Sequence, residues 1–147
     1  QCPAVEFRDL ILASCALNSP SKFIVLATRN GQAFLPAQLD SLIGQTETGW
    51  TLLIRDDHST DGTLSVLQDY AQRDHRIQLL SEPEHRLGSA VENFAGLLEE
   101  AYQRGARFVF CCDQDDVWSQ EKLALMSDAL KEAERCLKCG ICSECYQ

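Results

Sequence analysis

The sequence predicts an α/β protein, a three-layer sandwich in which helices cover both faces of a mainly parallel sheet. Three observations carry this expectation. Short continuous apolar runs such as Phe23-Ile24-Val25-Leu26-Ala27 suit strands buried on both faces. Between these runs, apolar residues recur at helical spacing over segments long enough for right-handed crossovers. The turns that follow several runs carry chemically useful side chains, as at the ligand-binding edge of a parallel sheet.

The first strand, Phe23 to Ala27, ends at the turn signal Thr28-Arg29-Asn30-Gly31. Phe34, Leu35, Leu39, Leu42 and Ile43 then trace a helix that closes near Gly44. Trp50-Thr51-Leu52-Leu53-Ile54 is a second strand, running into Arg55-Asp56-Asp57-His58-Ser59-Thr60-Asp61-Gly62-Thr63. Leu64, Leu67 and Tyr70, with Val66 and Ala71 beside them, give a second helix capped by Ser59, Thr60 or Asp61. Ile77-Gln78-Leu79-Leu80 is a third, shorter strand. After the Pro83 to Gly88 loop, Val91, Phe94, Leu97, Leu98 and Ala101 outline a third helix, which Gly105 stops. Phe108 to Cys112 is the fourth strand, and Leu123, Leu125, Met126 and Leu130 carry a last helix. Residues 22–132 thus form one domain. Before it, residues 1–21 are an extension in which Phe7, Leu10, Ile11 and Ala13 give a helix, and after it 133–147 is a Cys-rich tail.

A chain of 147 residues can bury a sizeable core without staples. Its formal net charge of −9 disfavours nucleic acid or an anionic membrane surface as main partner, since both select a basic footprint. A phosphorylated ligand remains open, held through a metal bridge and backbone N–H groups. No apolar run approaches the roughly 20 residues of a membrane span, and the start lacks signal-peptide character. A soluble, cytoplasmic chain is expected, with peripheral association at the inner face of a membrane left open. The eight cysteines are uneven: Cys2 and Cys15 near the start, Cys111-Cys112 in the fourth strand, and Cys136, Cys139, Cys142 and Cys145 at the end. A long cysteine-free middle argues for a reducing compartment. The adjacent pair reads as core filler. The final cluster could ligate zinc or an iron-sulfur group, but its spacing fits a flexible or vector-derived tail, or adventitious pairing, better.

Cys112-Asp113-Gln114-Asp115-Asp116 delivers three carboxylates in four positions to the end of an apolar strand. Carboxylates so close repel unless a cation holds them. Asp113, with Asp115 or Asp116, suits Mg2+ or Mn2+ alongside phosphate oxygens. Asp116 could instead cap the following helix. Asp56-Asp57 reads as a second ligand-binding pair, because Asp61-Gly62-Thr63 can open the helix without it. With Thr28 to Gly31, three groups converge on one sheet edge. His58, His75 and His85 read as solvated, and Trp50 and Trp118 as core or rim aromatics.

From about Lys22 to Leu130 the chain resembles the nucleotide-binding half of family 2 inverting glycosyltransferases of the GT-A fold (Rossmann-like), particularly bacterial rhamnosyltransferase-like members. The resemblance lies in Val25 to Gly31, Gln38-Leu39-Asp40-Ser41-Leu42 with Gln45-Thr46, Ile54 to Thr63, Gly88 with Asn93-Phe94, and the DXD-type run Cys112 to Trp118. It implies that Thr28, Arg29, Asn30 and Asp57, with Asp56 close by, hold the base and ribose of a nucleoside-diphosphate sugar. Asp113 would contact ribose or metal, and Asp115 would ligate Mn2+ or Mg2+ bridging the diphosphate. Arg29 stands where the family often has an aromatic, free to stack on a base, pair with phosphate or face solvent. His58 replaces a common glycine, which implies a less tight turn.

The implied reaction passes a sugar, dTDP-rhamnose being one such donor, to a saccharide or lipid-linked acceptor in polysaccharide biosynthesis. Inverting transfer needs a general base well after the metal motif. Here Glu121, Asp128, Glu132, Glu134 and Glu144 alone follow Trp118, and the first four read as solvated helix charges. The base is therefore expected to be absent, so that the chain is a donor half, as a fragment, or a nucleotide-sugar-binding module without turnover. A phosphoacceptor receiver domain fits poorly: its paired acids follow the first strand, whereas here acids follow the second and fourth.

Overall fold

The structure, a computed structural model, describes residues 22–139. The N-terminal helix expected within 1–21, with Cys2 and Cys15, lies outside the described residues, as do Cys142 and Cys145. Four strands and four helices alternate: β1 (Lys22–Thr28), α1 (Leu35–Ile43), β2 (Thr51–Asp56), α2 (Thr63–Arg73), β3 (Ile77–Leu79), α3 (Ala90–Gln103), β4 (Phe108–Cys112) and α4 (Lys122–Cys139). The strands form one parallel sheet in the order β3-β2-β1-β4. The β1 strand is central, with Thr28 opposite Asp56 on one side and Leu26 opposite Cys112 on the other. This registration places the turns after β1, β2 and β4 side by side.

Alternation along the strands divides the core in two. Ile24, Leu26, Leu52, Ile54, Phe110 and Cys112 face α1, α2 and α4 through Leu35, Leu39, Leu67, Tyr70 and Leu123. Phe23, Val25 and Leu53 face α3 through Leu97 and Ala101. Each fully buried leucine contributes about 1.5–3 kcal/mol through the surface it removes from water. Both tryptophans are core residues, with Trp50 under the Arg76 guanidinium at 4.0 Å and Trp118 under Lys122 at 4.7 Å.

Several local expectations are corrected. The α3 helix buries Asn93, Leu97 and Ala101, while Val91 and Leu98 are exposed. Its cap is Ser89, whose hydroxyl accepts from the Glu92 N–H at 3.3 Å. The N-cap of α2 is Gly62, and Asp61 acts one residue earlier, its Oδ1 accepting from the Thr63 N–H at 3.0 Å. Leu125 and Leu130 on α4 are also exposed, so this helix turns a narrower apolar face to the core. The helix continues through the tail boundary at 132 and includes Cys136. Among the described residues no helix is long and apolar enough to cross a membrane.

Candidate functional site

A cleft of about 250 Å3 opens where the strand ends converge. The turn after β1 contributes Thr28 and Arg29, and the end of β2 contributes Asp57. The loop before α3 and that helix's first turns add Arg86, Gly88, Ser89, Asn93 and Phe94. Asp113, Gln114 and Asp115 close it from the turn after β4. The three groups predicted to share one edge therefore share one cavity.

The adjacent acids after β2 part ways. Asp56 is fully buried and accepts from Thr28 Oγ1 at 2.8 Å, Ser59 N at 2.8 Å and Ser59 Oγ at 2.6 Å. It holds two loops together and does not line the cleft. Asp57 does line it, taking the Leu87 N–H on Oδ1 at 2.8 Å while Arg29 Nη1 donates to its carbonyl at 3.3 Å. A pleat explains the division: successive side chains point to opposite faces.

Asn30 also sits outside the cleft lining, in the left-handed region at φ 46. Its Oδ1 accepts from Thr60 N at 2.8 Å and its own N–H donates to Ser59 Oγ at 2.8 Å, so it braces the neighbouring loop. His58 corrects the expectation of a looser turn: it adopts φ 54, the conformation glycine would supply. Its Nε2 lies 2.8 Å from the Pro83 carbonyl and its ring is half-exposed, so this histidine holds the loop leading to Arg86. Asp61 is tied to Thr63 Oγ1 at 2.5 Å, and that hydrogen bond holds its carboxyl below the usual range.

The acid cluster divides as well. Asp116 accepts from Trp118 Nε1 at 3.0 Å and Lys122 Nζ at 2.9 Å, and the lysine holds its carboxyl below the ordinary value. It is the helix-associated acid. Asp113 and Asp115 are exposed to the cleft, and among the described residues their carboxylates make no hydrogen bond or ion pair. No three His, Cys, Asp or Glu side chains among the described residues converge into a ready metal cage. Two unengaged carboxylates nevertheless fit a hard divalent cation that takes its remaining oxygens from water and a phosphorylated ligand. Beneath them, burial pushes the Cys112 thiol up to about 12, as suits core filler, whereas Cys111, expected to fill the core beside it, points out of the sheet and is exposed.

Three site residues escaped the sequence reading. Arg86 lines the cleft and, among the described residues, makes no hydrogen bond or ion pair; its only signal was a basic residue just before Gly88. Arg55 donates to Asn93 Oδ1 at 2.7 Å and Asn93 O at 2.9 Å, while Asn93 Nδ2 donates back to Arg55 O at 3.0 Å. A Cβ on Gly96 would meet that guanidinium at 2.2 Å, so the glycine is what admits it. Gln114 is the third: it exchanges two hydrogen bonds with the backbone of Arg29.

Residues 23–144 match the profile of the family described as glycosyl transferase family 2. The dTDP-rhamnosyl transferase RfbG of Shigella flexneri is 30% identical over 105 residues, covering 71% of this chain and 36% of the relative. The S. aureus TarS fragment 1-349 in complex with UDP-GlcNAc superposes with a TM-score of 0.67 at 24% identity, over 76% of this chain and 31% of that one. Mannosyltransferase PcManGT from Pyrobaculum calidifontis, in complex with GDP-Man and Mn2+, gives 0.59 at 24% identity, over 74% and 31%. The chain thus spans about a third of the length of each, and the fold is the nucleotide-sugar transferase fold expected from the sequence.

Proposed function

The chain belongs to glycosyl transferase family 2, and on that premise we propose that its cleft is the donor site of a metal-dependent glycosyltransferase. The observation that carries the proposal is the pair of unengaged carboxylates, Asp113 and Asp115, facing the same cavity as Arg29 and Asp57. The nucleoside lies against Thr28, Arg29 and Asp57. The diphosphate lies toward Asp113 and Asp115, which hold Mn2+ or Mg2+, and toward the Arg86 guanidinium. The bound cation offsets charge on the departing nucleoside diphosphate. Bound Mn2+ in the mannosyltransferase neighbour supports the metal, and the name of the Shigella relative supports dTDP-rhamnose as donor. The acceptor is a saccharide or a lipid-linked saccharide. Cytoplasmic placement, at the inner face of a membrane for a lipid-linked acceptor, rests on the uneven cysteine use.

A binding module without turnover is the second reading, and the described acids on the last helix bear on it. Asp128, Glu132 and Glu134 pair on the surface with Lys131, Arg135 and Arg107, so none of these faces the cleft as a general base. Calorimetric titration with UDP, dTDP, GDP and their sugars, with and without Mn2+, tests the donor site. Metal-dependent binding that Asp115→Ala abolishes supports it; equal binding by both proteins, or none by either, refutes it. Sustained transfer or hydrolysis by this chain would remove the module reading.

A further inference from the structure

Asp113 to Asp116 forms a turn closed by the Asp116 N–H on the Asp113 carbonyl at 3.3 Å. Such a turn is anchored at its base by β4 but has no ladder to fix its tip. The pairing of β1 with β4 ends at Leu26 opposite Cys112, before either functional turn begins. Beyond that point the primary amide of Gln114 takes the place of a peptide group. Its Oε1 accepts from the Arg29 N–H at 3.0 Å, and its Nε2 donates to the Arg29 carbonyl at 3.1 Å. Only this orientation of the amide satisfies both backbone groups. Gly31 leaves the room: a Cβ there would stand 2.5 Å from Gln114 Oε1 and 2.9 Å from its Cδ.

Gln114 lies between the two acids in sequence, and Arg29 belongs to the nucleoside side of the cleft. The amide therefore joins the part of the site that carries the carboxylates to the part that would meet the base. We propose that Gln114 is a positioning residue that couples the metal-binding turn to the nucleoside-binding turn, so that a cation at Asp113 and Asp115 strengthens nucleotide binding only while the bridge is intact. The inference rests on the donor-site reading and adds to it the means by which the two halves of the site act as one. Preorganisation is the physical basis, because a turn already held in its bound geometry loses less conformational freedom when the ligand arrives. Solvent-exposed acids on an untethered tip would bind the same cation at several positions, few of them aligned with a diphosphate whose nucleoside is seated near Arg29.

Two substitutions break the bridge from opposite sides. Gln114→Ala removes the amide, and Gly31→Ala leaves Gln114 intact but displaces it. The factor by which Mn2+ tightens binding of UDP, dTDP and GDP is measured by calorimetry for wild type and both variants. Amide exchange of Arg29 and thermal unfolding are followed in parallel. The expected result is that both variants lose about tenfold of the Mn2+-dependent gain, exchange the Arg29 amide faster and unfold cooperatively. Loss of a merely structural contact would lower all affinities together and leave the Mn2+ factor unchanged. An unchanged Mn2+ factor, or an unchanged Arg29 amide, overturns the coupling while leaving the donor site standing. Wild-type protein that binds none of the three nucleotides with Mn2+ overturns the donor site, and the coupling with it.

Discussion

Asp56→Ala will cost the protein more stability than any other single change at the cleft edge, although its side chain never faces the ligand. The substitution removes the acceptor of three hydrogen bonds from Thr28 Oγ1, Ser59 N and Ser59 Oγ. Thr28 is 1% exposed and Asp56 0%, so water cannot replace the lost partner at the threonine hydroxyl. A buried donor left unsatisfied costs about 1–3 kcal/mol, and with Ser59 half-buried the total comes to about 3–5 kcal/mol. That is a large share of the roughly 5–15 kcal/mol that holds a domain folded. Urea unfolding followed by the fluorescence of buried Trp50 and Trp118 will show a midpoint lower by about 1–3 M at unchanged slope. Asp56→Asn will recover at least half of the loss, because a flipped amide accepts from Ser59 N while donating to the two hydroxyl oxygens. Asp57→Asn keeps the acceptor for Leu87 N–H and will cost under about 1 kcal/mol, its penalty falling on nucleotide affinity. A midpoint for Asp56→Ala within about 0.3 M of wild type, or equal losses for alanine and asparagine, would refute the division of labour between the two acids.

Arg86→Ala is expected to weaken nucleoside-diphosphate binding about tenfold in titration without moving the melting temperature, since the guanidinium has no protein partner among the described residues to lose. Asp74 is paired with Arg76 at 2.6 Å, and that hydrogen bond holds its carboxyl below the ordinary value. Its contribution, on the order of 1 kcal/mol, is present above the unfolded value near about pH 3.9 and disappears as pH falls through the depressed folded value. Asp74→Asn should flatten that part of the acid limb of a stability-against-pH curve, and an unaltered limb would contradict the assignment. Iodoacetamide at about pH 8, read by peptide mass mapping, should modify exposed Cys111 before buried Cys112. The Cys112 thiol form favours the fold fully below about pH 8.5, and this contribution fades as pH rises toward about 12. Equal labelling of the two cysteines in native protein would count against the burial described.

The architecture was legible because its signals are periodic. Continuous apolar runs and helical spacing identify all four strands and the helices between them, and the turns at Thr28, Asp57 and Asp113 follow from strand polarity. Side-chain choice within those turns was not. Asp56 and Asp57 are the same residue type one position apart, and only the pleat decides which is buried. Asp113, Asp115 and Asp116 likewise separate through the position of Lys122 and Trp118, which composition cannot place. Arg55, Gln114 and Gly96 act through contacts distant in sequence, and an isolated arginine, glutamine or glycine carries no pattern. Val91 and Leu98 misled because helical spacing locates an apolar stripe but not how much of it a neighbour covers.

The central position of β1 has a kinetic consequence. Its partner β2 follows closely in sequence, but β4 is far along the chain, and the Arg29 to Gln114 hydrogen bonds span 85 positions. Closing so long a loop is slow, and nothing rewards it until the final strand docks. The nucleoside side of the cleft can therefore assemble from the first half of the polypeptide, whereas the carboxylate side arrives only when Phe108–Cys112 has been made and seated. On the donor-site proposal, a chain leaving the ribosome would acquire affinity for metal and diphosphate only after its nucleoside side has formed. In refolding, Mn2+-dependent nucleotide binding should appear with the slowest phase, and its appearance with the earliest one would show that β4 docks before the rest of the sheet.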